Sequence, residues 1–208
     1  MRGDVTTKVP GILRRIRELM GDESRRKGLQ RKARWLHVCA CLDVISDTEQ
    51  AILAYRNQRE EEHGVLYLTT YGVLQAFVTQ QDAVGHLAAA LDHPIDGWPT
   101  KKGDRMNWGK HPLLREIRTI RVRAAGHPSL TRGINGQPAE YHFVVQQTLH
   151  AGYFEMQSWS AAKAKSYDER RRVDVIKLAA DQQQCIGNLL QCLRDALVGD
   201  ASSTSLSG

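Results

Sequence analysis

A chain of 208 residues, 41% hydrophobic and 25% charged, carries enough apolar side chains for a single packed core and none of the bias of fibrous or low-complexity proteins. No window approaches about 18 uninterrupted apolar residues, and Met1 to Pro10 holds no apolar leader run, so a cytoplasmic protein with no membrane span is expected. The formal net charge is +6, yet residues 1–34 alone hold eleven basic and four acidic side chains. Residues 1–29 are therefore expected to form a basic arm, which either attracts phosphate backbones without reading sequence or is a solvated helix face.

A short amphipathic segment, Ile12 to Met20, precedes a polar break from Gly21 to Gly28. From about Gln30 to Asn57 the apolar residues Trp35, Val38, Cys39, Leu42, Ile45, Ile52 and Tyr55 recur at three- and four-residue steps, which predicts a long helix with one buried stripe. A second long helix, about Val65 to Leu91, carries two adjacent stripes. Gln80 extends one and Gln81 the other, so at least one amide is desolvated and needs a partner. Asp82 and His86 share a face at four-residue spacing, either tying helices together or lining a site.

His93-Pro94 ends that helix, and Asp96 to Lys110 has no periodicity. It interleaves Lys101, Lys102, Arg105 and Lys110 with Trp98 and Trp108, a mixture that suits single-stranded nucleic acid, although tryptophans also anchor long loops. Pro112 is placed for the first turn of a third helix with the stripe Leu113, Leu114, Ile117, Ile120 and Ala124, and Gly126 and Pro128 stop it. Alternation over about 139–160 predicts a β-hairpin. Ser166-Tyr167-Asp168-Glu169 matches a capping box opening a last helix that runs to about Val198, and 199–208 reads as a disordered tail. The four cysteines make no C-x-x-C pair and the eight histidines no H-E-x-x-H, so neither metal nor cofactor is expected. No compact helix-turn-helix pattern occupies residues 1–34, which weighs against a DNA-binding regulator.

Arg121 and His127 are six residues apart, about 9 Å of helical rise, a gap that the long arginine side chain narrows. Histidine can move protons for attack by a ribose 2′-hydroxyl and departure of the 5′-oxygen, while arginine stabilises the charged phosphorane. The spacing is not rare: Arg31/His37, Arg56/His63 and Arg105/His111 also satisfy it. Context separates Arg121/His127 from these, a short apolar-striped helix ending in Gly126-His127-Pro128. The plain alternative is a histidine interacting with a helix C-terminus and an arginine paired with a carboxylate.

The run Leu114 to Pro128 resembles the R-x4–6-H signature of HEPN-domain proteins, in the subgroup that writes it with G-H-P, and Tyr71-Gly72-Val73-Leu74-Gln75 and Gln80-Gln81-Asp82-Ala83 are similar to segments of that subgroup. The resemblance spans roughly residues 30–198. It implies an all-α bundle, which together with the hairpin read from the alternation gives a mainly α protein, an antiparallel helical bundle with a small β-hairpin inserted before the long C-terminal helix. It also implies a homodimer whose paired motifs face one another, acting as a metal-independent ribonuclease in toxin–antitoxin or phage-defence settings, with an antitoxin or nucleotidyltransferase as partner. Arg121 and His127 match the motif, Arg118, Arg123, Lys101, Lys102 and Arg105 are expected to contact RNA, and Gln81 and Asp82 to support the site. The family commonly has asparagine directly after the motif arginine, where this chain has Val122. Either Arg123 takes over that contact, or the domain is a non-catalytic module binding RNA, nucleotide or a partner protein.

Overall fold

The computed structural model describes residues 8–58, 62–98, 109–125, 129–131, 140–160 and 169–204. The protein is mainly helical, with a small antiparallel sheet before the C-terminal helix. In chain order the elements are α1 (Val9–Met20), α2 (Glu23–Arg31), α3 (Trp35–Asn57), α4 (His63–Ala90), α5 (Pro112–Ala125), β1 (Ser129–Thr131), β2 (Glu140–Val144), β3 (Tyr153–Ser160), β4 (Glu169–Asp174) and α6 (Val175–Thr204). No helix is long and apolar enough to cross a membrane among the described residues. The chain divides into two compact units, one from Met1–Gln50, Thr79–Pro112 and Asp181–Gly208, the other from Ala51–Val78 and Leu113–Ala180.

In the first unit the segment expected as a basic arm folds as two helices. The spacing of Val9, Ile12, Leu13, Ile16 and Met20 puts five buried side chains on one face of α1, and these join Val38, Leu42 and Ile45 of α3, Val84 and Leu87 of α4 and Ile186, Leu190 and Leu193 of α6 in a single core. The expected polar break contains α2, because the Asp22 carboxylate accepts the Arg25 backbone N–H at 3.1 Å and so caps a helix that buries no side chain of its own. Several cations of this region are engaged locally: Arg17 donates to Asp43 and to the Leu42 carbonyl, Arg25 to the Leu197 carbonyl, and Lys32 and Arg34 both reach Asp92.

In the second unit α3 supplies Ile52 and Tyr55, α4 Leu66, Val73 and Phe77, α5 Ile117 and Ile120, and α6 Val175 and Ala179. They pack with Phe154, Met156 and Val173 from one face of the sheet. The expected hairpin is the centre of a four-stranded antiparallel sheet ordered β1-β2-β3-β4. The last helix does not open at the expected capping box, of which Ser166 to Asp168 lie outside the described residues: Glu169 to Asp174 pairs with β3, Glu155 opposite Arg172 and Phe154 opposite Val173, so these residues form strand rather than helix. Helix α6 starts six residues later, where the Asp174 carboxylate accepts the Lys177 N–H at 2.8 Å and the Gly152 carbonyl accepts the Val175 N–H at 2.8 Å. Helix α6 also continues to Thr204, into the segment expected to be a disordered tail; residues 205–208 lie outside the described residues.

Candidate functional site

The stripe Leu114, Ile117, Ile120 and Ala124 buries one face of α5 in the second unit. Arg121 follows Ile120 by one residue and so stands on the flank of that stripe, half-buried, where its stem packs and its head meets solvent. Its Nε–H and Nη2–H both donate to the side-chain oxygen of Gln75 on α4, at 2.9 and 2.6 Å. Among the described residues the arginine is therefore held by a neutral amide and not by the carboxylate that the plain reading supposes. Among the described residues two of its five guanidinium N–H groups donate, both to Gln75, and a neutral acceptor leaves the positive charge uncompensated.

Gln75 lies on an exposed stripe of α4. Val65, Leu68, Gly72 and Gln75 follow at three- and four-residue steps and all face outward, with Leu68 72% exposed. One turn before Gln75, Tyr71 stacks on Tyr67 with ring centroids 4.3 Å apart. Burial pushes the Tyr71 phenol well above its ordinary value, and the adjoining Tyr67 hydroxyl pushes in the same direction. Tyr71 thus remains protonated throughout the neutral range.

Other expected site residues are distributed differently. Arg118 and Arg123 are half-buried on α5, on either side of Arg121 in sequence. His127 lies outside the described residues, as do Lys101, Lys102 and Arg105. Gln81 belongs to a buried chain of side chains in the first unit, donating to Gln182 at 2.9 Å; Gln182 donates to Gln80, and the Glu49 carboxylate accepts from both Gln80 and Gln183. All five of these side chains are buried. The desolvated glutamines at 80 and 81 thus find helix-to-helix partners, and Gln81 supports the packing of α3, α4 and α6. On α4 Gln81 sits roughly 240° around the axis from Gln75. Asp82, seven residues beyond Gln75, is exposed on the same stripe as Gln75. Trp98 is buried against α4 and does not offer a free stacking face; its ring edge also meets His111 at 5.3 Å.

The amide that meets Arg121 is thus Gln75, a residue that sequence reasoning did not single out, while Gln81 lies buried in the first unit. The available signal was the outward stripe Val65, Leu68, Gly72, Gln75, which separates an exposed amide from the buried pair that follows it. Among the described residues no group of three or more His, Cys, Asp or Glu is placed to hold a metal ion. Compared with models of protein families, with curated proteins and with solved structures, the chain finds no match.

Proposed function

We propose that the protein is a metal-independent endoribonuclease of HEPN type, in which Arg121 binds the scissile phosphate and His127 moves the proton. The observation that carries this reading is the Arg121–Gln75 pair: a guanidinium positioned by two hydrogen bonds to a neutral acceptor keeps its charge for an anion. A carboxylate in the place of Gln75 would already compensate that charge. The reaction is an in-line attack by the 2′-hydroxyl, with the imidazole taking or returning a proton and the guanidinium balancing the charge that grows on the phosphorane oxygens. The Tyr71 hydroxyl, one turn from Gln75 and protonated at neutral pH, supplies a neutral donor on the same helix.

The proposal includes a homodimer that brings two motifs together. Support comes from the outward stripe of α4, where Val65 and Leu68 are 39% and 72% exposed and Gly72 has no neighbour within 4 Å of where a side chain would begin. An HEPN-like bundle, a cytoplasmic setting and restraint by an antitoxin or a nucleotidyltransferase belong to the same reading. A second reading, a non-catalytic RNA- or protein-binding module, is favoured by Val122, which is 50% exposed where the family has a polar side chain.

Incubating total RNA with the purified chain in EDTA separates the two. The nuclease reading requires cleavage by the wild type and a loss of at least about a hundredfold in Arg121→Ala and in His127→Ala. Intact RNA after wild-type treatment, or undiminished cleavage by either variant, refutes it.

A further inference from the structure

Residues 8–34 of the first unit carry ten basic and three acidic side chains. The three acids are committed: Glu18 pairs with Arg14, Glu23 with Lys27, and Asp22 caps α2. Two carboxylates reach in from other elements, Asp43 to Arg17 and Asp92 to Lys32 and Arg34, so five positive charges remain uncompensated. On α6, whose Leu197 carbonyl meets Arg25, Asp195 is paired with Arg194 and Asp200 with His93, so neither offsets this surplus. Arg15, Arg26 and Arg31 are exposed and have no carboxylate partner among the described residues. Helix α1 turns its apolar residues into the core, and α2 sets Arg25, Gly28 and Leu29 half-buried against the first unit, which leaves Arg26, Lys27, Gln30 and Arg31 along its outer face. Among residues 8–58 Leu36, at the start of α3, is the sole large apolar side chain that stands exposed.

We infer that the outer face of α2, with the cations of α1 that precede it, is a docking surface for the phosphate backbone of double-stranded RNA. A protein partner would need apolar or aromatic anchors, and a membrane surface would need an apolar helix face to take up; this face offers neither. What it offers is closely spaced guanidinium forks, which fit phosphate oxygens bidentately. An unpaired base finds no aromatic ring to stack on, so affinity follows the density of phosphates, which is higher along a duplex than along a single strand. Contacts of this kind position the nucleic acid and read no sequence. The inference rests on the ribonuclease reading for its choice of RNA over DNA, and it gives that enzyme a folded substrate whose paired stem is held by the first unit.

The test uses the full chain carrying His127→Ala, so that binding is read without turnover, and a fluorescein-labelled RNA duplex of about twenty base pairs. By anisotropy at about 0.1 M salt, Arg26→Gln with Arg31→Gln raises Kd at least about tenfold and lowers the slope of log Kd against log salt by roughly two. Arg26→Lys with Arg31→Lys keeps both charges and holds Kd within about threefold of the parent. Arg170→Gln with Arg194→Gln removes the same net charge from cations already paired with Glu155 and Asp195, and leaves Kd within about twofold. An unchanged Kd in the Arg26→Gln, Arg31→Gln variant, equal weakening in the Arg170→Gln, Arg194→Gln variant, or a single strand of equal length binding as tightly as the duplex overturns the inference. Capture of the chain by phosphatidylserine vesicles without any binding of the duplex overturns it as well. Duplex binding that depends on Arg26 and Arg31, in a chain whose wild type cleaves nothing, retires the nuclease reading alone.

Discussion

A guanidinium next to a carboxylate is a spent charge, whereas one next to an amide is an oriented and available charge. That difference makes Gln75, whose side-chain oxygen accepts both Arg121 hydrogen bonds, the residue on which the candidate site turns. A second residue-scale feature is the close approach of Trp98 to Gly85. A Cβ on Gly85 would stand 1.9 Å from the indole Nε1, closer than any non-bonded contact allows. Gly85→Ala should therefore displace the buried Trp98 and lower stability by about 2 kcal/mol or more, measurable as a reduced urea midpoint. A fully stable Gly85→Ala protein with unchanged tryptophan fluorescence would contradict that packing.

At the scale of elements, α4 shows how much the sequence discloses. Its apolar positions at three- and four-residue steps mark the helix and its buried faces, and the desolvated glutamines are visible before any coordinates. Which amide meets which partner is not visible, because the partners Gln182 and Glu49 are 101 and 31 residues away from Gln81 and Gln80. The same limit applies to β4: Ser166 to Glu169 satisfies a helix-start pattern locally, and only cross-strand pairing with β3 decides otherwise. Helix α2 fails for the opposite reason. Its cap, Asp22 to Arg25, is short-range and legible, but a helix with no buried side chain has no stripe to find.

The outward stripe of α4 carries a prediction of its own. An exposed glycine in mid-helix costs about 1 kcal/mol relative to alanine, so within one chain Gly72→Ala should stabilise the fold. If a partner helix packs on this stripe, the same methyl group holds the two backbones apart. Sedimentation of Gly72→Ala should then show weaker dimerisation alongside an equal or higher melting temperature. A dimer of unchanged strength would remove the stripe from the interface.

For the molecule as a whole, protonation links site and stability. Tyr71 holds its proton more tightly when folded than when unfolded, because burial disfavours the phenolate. Its stabilising contribution is full below the unfolded phenol value of about 10 and is lost as pH rises through the higher folded value. Alkaline titration of stability should thus fall above pH about 10, and Tyr71→Phe should flatten that limb. An identical alkaline slope in the variant would place the linkage elsewhere.

The claim on which the account depends is chemical: Arg121 and His127 together direct a ribose hydroxyl onto its own phosphate. The measurement that reads it most directly is the chemical form of the ends left on a short RNA cleaved in EDTA, determined by mass spectrometry. Internal attack leaves 2′,3′-cyclic phosphate on one fragment and 5′-hydroxyl on the other, with no cleavage where the 2′-hydroxyl is replaced by hydrogen. Products ending in 3′-hydroxyl and 5′-phosphate, or equal cleavage of the 2′-deoxy substrate, would contradict it.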